Sequence, residues 1–143
     1  DLFAGSGALG LEALSRGAQS AVLVESSKHV AGILRDNVGV CGPQPETCRI
    51  VVDRAERWLP KYESPNVPSV VFLDPPYQGG AYAGLLQTLA THPELLPGSW
   101  VVVESPTDFQ CDFPSAFETV QSRTYGTIKI QLLHKPLPDP QAE

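Results

Sequence analysis

The chain has 143 residues, 42% of them hydrophobic and 18% charged, which fits one globular domain and excludes a disordered or collagen-like polymer. Ten Lys and Arg against sixteen Asp and Glu leave a net charge of −6, so bulk charge alone does not grip a polyanion. Cys41, Cys48 and Cys111 lack the paired spacings of disulfide or zinc frameworks, and no apolar run reaches the roughly 18 residues of a membrane span. No secretion signal opens the chain, and a cytoplasmic monomer without metal or membrane partner is expected.

Residues 1–72 carry seven basic and eight acidic groups, residues 73–143 three and eight. Any nucleic acid is therefore expected beside Arg35, Arg49, Arg54, Arg57 and Lys61. The chain holds no methionine and reaches a glycine turn within five residues of Asp1, so a strand feeding that turn is expected upstream.

Ala8 to Arg16 combines good helix formers with Leu9, Leu11 and Leu14, and Gly17 suits the left-handed position beyond a helix. Ala21 to Val24 is a short β-prone run. Ser26 or Ser27 then caps a helix with Val30, Ile33, Leu34, Asn37 and Val38 at helical spacing, ended by Gly42 and Pro43. Arg49 to Val52 reads as a strand, followed by a weak helix from Ala55 to Leu59 that Pro60 ends.

Ser69 to Leu73 shows no polar alternation and reads as a strand covered on both faces, as in a parallel sheet. Tyr82 to Ala90 is a helical stretch, and Trp100 to Val103 repeats the buried-strand pattern before Glu104. Phe117 to Tyr125 and Thr127 to Leu133 meet at Gly126 as an antiparallel pair. The reading is a doubly wound, mostly parallel α/β sheet with a C-terminal antiparallel hairpin, one domain over residues 1–135 and a loose tail over 136–143.

Ligands of such folds bind beyond the carboxyl ends of the strands. There lies a G-x-G-x-x-G cluster at Gly5, Gly7 and Gly10, with Glu25 at the end of the next strand. Glycines let a ligand approach the backbone, and a carboxylate about 20 residues on accepts from both ribose hydroxyls of an adenosine cofactor, either NAD or S-adenosylmethionine. Asp53 follows the third strand and reads equally as an adenine contact or a surface acid.

Asp74-Pro75-Pro76-Tyr77 follows the most apolar strand. Two prolines remove two N–H donors and leave carbonyl acceptors. Such a corner suits a donor-rich ligand: Asp74 and the Pro75 carbonyl can take both N–H groups of a nucleobase amine while Tyr77 stacks on the extruded base. Methyl transfer from a sulfonium then needs alignment more than a metal. Hydride transfer gives no reason for the corner, which ranks NAD lower.

These residues, DLFAGSGALGLEALSRGA, LVESS, VVFLDPPY, WVVVES and RTYGTIKIQLL, resemble the bacterial 16S rRNA guanine-N2 methyltransferase family of RsmD type, up to about Leu133. The resemblance implies a class I, Rossmann-like methyltransferase that uses S-adenosylmethionine to methylate a guanine N2 in ribosomal RNA or the assembling small subunit. By position it implies that Asp1, Ala4, Gly5, Gly7 and Glu25 line the cofactor site, and Asp74, Pro75 and Tyr77 the amine site. This sequence departs from the family in lacking its N-terminal basic segment and the motif before the first strand, and in carrying Arg54 where the family often places a polar side chain immediately before the alanine matching Ala55. The alternatives are an adenine-N6 methyltransferase and a cofactor-binding module without turnover.

Of the remaining polar candidates, His29, His92 and His134 read as surface or capping residues, and Glu104, after the fifth strand, reads equally as part of the cleft floor or as a solvated or ion-paired acid. Tyr125 and Gly126 fix the hairpin, and Trp58 and Trp100 read as core.

Overall fold

A computed structural model describes residues 1–64, 66–76 and 81–138. The elements group into two units, Asp1–Trp58 and residues 59–143.

In the first unit the order is α1 (Ala8–Ser15), β1 (Ala21–Glu25), α2 (Lys28–Cys41), β2 (Cys48–Val52) and α3 (Ala55–Trp58). β1 and β2 pair in parallel from Ala21 opposite Cys48 to Glu25 opposite Val52. Ser27 opens α2: its backbone is extended and its hydroxyl accepts the Val30 N–H at 3.3 Å. Gly42 closes the helix in the left-handed region at φ 63°, donating to the Val38 carbonyl. That termination needs φ > 0, which glycine adopts without a Cβ clash. Ala4, Leu23 and Leu34 form the core, with Ala21, Val38, Cys48 and Ile50 packed against it. Each fully buried leucine stabilises the unit by roughly 1.5–3 kcal/mol. Ile33 is 45% exposed, so the inward stripe of α2 is narrower than its apolar spacing suggests.

The second unit contains a 3₁₀ turn (Leu59–Lys61), β3 (Val70–Leu73), α4 (Ala81–Thr91), β4 (Trp100–Pro106), β5 (Glu118–Tyr125) and β6 (Ile128–His134). Its sheet has the order β3-β4-β6-β5, with β3 and β4 parallel and the other pairs antiparallel. Leu73, Leu85, Leu86, Leu89, Val101, Val103 and Leu133 are fully buried. The hairpin joining β5 to β6 turns at Gly126, φ 61°. A bulge between Thr119 and Gln121 shifts the register of β5.

Several expectations need correction. Pro60 sits inside the 3₁₀ turn that continues from α3, because the tighter i→i+3 pattern of that turn tolerates a missing N–H donor. Val70 is 54% exposed and only Leu73 of β3 is fully buried: a β-branched run reports fit to a pleated strand, not cover on both faces. β4 does not stop before Glu104. It runs on to Pro106 because β6 pairs with it as far as Ile128.

His92 is buried, not a surface residue. Its Nδ1 accepts the Glu94 N–H at 3.2 Å, so its Nε2–H donates to the Leu59 carbonyl at 2.9 Å. Cys48 and Cys111 are half-buried, but Cys41 at the end of α2 is exposed. Lys135 still pairs through its backbone with Gly98 and Ser99. Of the tail expected from Pro136, residues 139–143 lie outside the described residues.

Candidate functional site

In the first unit, residues 1–4 run alongside β1. The Asp1 backbone N donates to the Val22 carbonyl at 2.9 Å, the Val24 N–H to the Asp1 carbonyl at 2.9 Å, and the Ala4 N–H to the Val24 carbonyl at 2.8 Å. The chain then turns through Gly5 (φ 54°) and Gly7 (φ 89°), where Gly7 opens α1 with no side chain capping it.

The three glycines play different parts. A Cβ on Gly10 would collide with Leu23, and one on Gly7 with Leu34, so both serve close packing onto the core. A Cβ on Gly5 would meet nothing within 4 Å. The open approach for a ligand is therefore at Gly5.

Glu25 braces this turn. Its Oε2 accepts the Gly5 N–H at 3.0 Å and its Oε1 the Ser27 N–H at 2.8 Å. An ionised carboxylate has about four acceptor positions, so capacity for two hydroxyl donors remains. Asp1 Oδ1 is buried with no partner among the described residues, an acceptor whose lone desolvation costs about 1–3 kcal/mol unless a donor arrives. Open space at Gly5, spare acceptors on Glu25 and the orphaned Asp1 oxygen fit the ribose hydroxyls and ammonium of S-adenosylmethionine.

Asp53 is differently engaged. Its Oδ1 accepts from the Arg54 N–H at 2.7 Å and from Arg57 Nε at 2.6 Å, and it also pairs with Arg57 Nη2. The hydrogen bond and the negative charge of Asp53 raise the pKa of the Arg57 guanidinium. An adenine amino group approaching Oδ1 competes with that pair.

In the second unit, β3 ends on the fully buried Leu73, followed by half-buried Asp74, buried Pro75 and exposed Pro76. Tyr77 lies outside the described residues. Burial raises the pKa of the Asp74 carboxyl. The β3–β4 register sets Leu73 opposite Val103, so the next residues, Asp74 and Glu104, are neighbours across the two strands. Burial first, then the negative charge of Asp74, raises the pKa of Glu104. Tyr82 O–H donates to the Glu104 carbonyl at 2.7 Å, tying α4 to β4 at this point.

Sequence reading put Glu104 at a strand end without coupling it to Asp74. The signal for that coupling was the matching run of four apolar residues and an acid in VVFLD and WVVVE. No group of His, Cys, Asp and Glu among the described residues could hold a metal ion, and no helix among them is long and apolar enough to cross a membrane.

The family described as Conserved hypothetical protein 95 matches residues 1–134. Ribosomal RNA small subunit methyltransferase D of Haemophilus influenzae is 30% identical over 132 residues, covering 92% of this chain and 68% of that protein. Its counterpart in Escherichia coli K12 is 35% identical over 108 residues, covering 76% of this chain and 52% of that protein. The chain thus spans between half and about two thirds of these relatives. A solved Haemophilus influenzae structure described as a methylase has a TM-score of 0.83 at 28% identity, covering 96% of this chain and 85% of that one. The fold class is α/β, that of the class I methyltransferases, with the C-terminal antiparallel hairpin.

Proposed function

The chain belongs to the Conserved hypothetical protein 95 family, the group of the small-subunit rRNA methyltransferases D, and on that premise we propose that it methylates the exocyclic N2 amine of a guanine in small-subunit rRNA. The methyl donor in this reading is S-adenosylmethionine, which when bound supplies an electrophilic methyl group on a positively charged sulfur. The observation that carries the reading is the half-buried Asp74 followed by Pro75 and Pro76 at the end of β3.

Asp74 is the acceptor for one N–H of the amine and the Pro75 carbonyl the acceptor for the other. Holding both directs the nitrogen lone pair away from the base plane. Neither proline offers an N–H that would compete as a donor, and Pro76 stiffens the corner. Tyr77 is assigned to stacking on the extruded base.

In the first unit, Glu25 takes the ribose hydroxyls, Asp1 Oδ1 the donor's ammonium, and Ala4, Gly5 and Gly7 the backbone wall beside it. Asp53 is assigned to the adenine edge, in competition with Arg57. The partner is rRNA, naked or in the assembling subunit, met by a cytoplasmic monomer.

Transfer of a labelled methyl group to small-subunit rRNA, followed by nucleoside analysis, tests the reading. Asp74→Ala is expected to lower transfer on the order of 10²-fold or more while calorimetry shows S-adenosylmethionine binding unchanged. Retained transfer overturns the role of Asp74, and N6-methyladenine as product overturns the guanine assignment.

A further inference from the structure

We propose that Glu104 is a second carboxylate of the amine site, which takes up the proton released when the amine held by Asp74 is methylated. The proposal rests on the amine-site reading of Asp74.

Register and pleat carry it. Along β4, Val101, Val103 and Ser105 are buried while Trp100, Val102, Glu104 and Pro106 are half-buried, so Glu104 lies on the less covered face. Leu73 is buried and lies opposite Val103. The residue after it, Asp74, therefore falls on the face of Glu104, one strand spacing away, about 4.8 Å in backbone terms. The bond from Tyr82 to the Glu104 carbonyl holds β4 there, and Asp74 is the first residue beyond β3.

The surroundings supply no neutralising cation among the described residues. On its other side Glu104 is opposite Ile130 of β6, which is opposite Arg123 of β5, two strands from Glu104. Lys129, one residue along β6, donates to the Phe109 carbonyl at 2.6 Å. In α4 the one titratable side chain is Tyr82, whose ring stacks on Phe109 with centroids 4.3 Å apart. Two half-buried carboxylates without a cation hold one proton more readily than either would alone.

The two carboxylates repel each other, so the pair takes up one proton readily: Asp74 accepts the amine N–H, and Glu104 is the second carboxylate on which the proton comes to rest. In the reaction the amine nitrogen forms its bond to the methyl carbon as the carbon–sulfur pair returns to sulfur, leaving a neutral thioether. The nitrogen, now positively charged, gives the proton of the N–H held by Asp74 to that carboxylate, which passes it to Glu104, and the nitrogen keeps the electron pair of that N–H bond. Exchange with water then restores the carboxylate.

Two measurements test this, the dependence of kcat on pH and an NMR titration of the Glu104 carboxyl in the chain without ligand. Glu104→Gln, close in shape, is expected to lower kcat on the order of 10²-fold at neutral pH. It is also expected to move the acid limb of the profile to lower pH, because Asp74 then titrates without a like charge beside it. In Asp74→Asn, Glu104 is expected to titrate at lower pH than in the native chain. An unchanged Glu104 titration in Asp74→Asn overturns the coupling without any need for turnover. An unchanged kcat and acid limb in Glu104→Gln, beside an inactive Asp74→Ala, overturn the role of Glu104 alone. Full activity in Asp74→Ala overturns the amine-site reading and the role of Glu104 with it.

Discussion

Asp74 is held where burial works against its charge, and Glu104 carries that burden together with the repulsion of Asp74. Both carboxyls have a folded-state pKa above the ordinary value, so the folded chain binds protons more readily than the unfolded one just above the carboxylate range. Their contribution to stability is therefore present at low pH and is lost as pH rises through the folded-state pKa values. Asp74→Asn removes the charge and should raise Tm at pH 7, with a smaller gain at pH 4. Thermal melts of both proteins at the two pH values check this. A gain independent of pH would point to packing instead. Glu25 shows the opposite economy: it meets two backbone N–H groups, so bracing the turn and receiving a ligand use the same side chain.

At the scale of elements, α1 and β1 meet at Gly10. Helix propensity alone makes Gly10→Ala favourable by about 1 kcal/mol. The added Cβ, however, would collide with Leu23, which is fully buried, and overpacking of a core costs typically 1–3 kcal/mol. Packing wins, so the substitution is expected to lower stability, as denaturant unfolding would show. An increase in stability would mean that Leu23 repacks without strain. The same contrast explains what could be read locally. The cap at Ser27 and the stop at Gly42 depend on neighbouring residues and were legible. The end of β4 depends on β6, more than twenty residues later, and was placed three residues too early.

Over the whole chain, a net charge of −6 must be reconciled with the proposed RNA substrate. Arg16, Arg54 and Arg57 are in ion pairs with Glu12, Glu56 and Asp53, and Lys129 and Lys135 donate to carbonyls. Arg123 donates to the Gln121 side-chain oxygen, and Lys28, Arg35, Arg49 and Lys61 are left as phosphate partners. With that number, the slope of log K against log salt for rRNA binding by this chain should be no steeper than about −4. Filter binding across a salt series measures it, and a steeper slope would show that the paired arginines are released to phosphates.

The alternation of strands and helices, the glycine turn with Glu25 and the Asp74-Pro75-Pro76 corner were all readable from the chain alone. Each rests on residue types and spacings that act over a few positions, through backbone dihedrals, caps and missing N–H donors. Tertiary structure alone decided that Gly7 and Gly10 pack against leucines while Gly5 stays open, and that Glu104 stands beside Asp74. Those outcomes depend on strand register and on which side chains meet across the sheet, and pairing between distant segments leaves only a faint trace in either segment's own sequence.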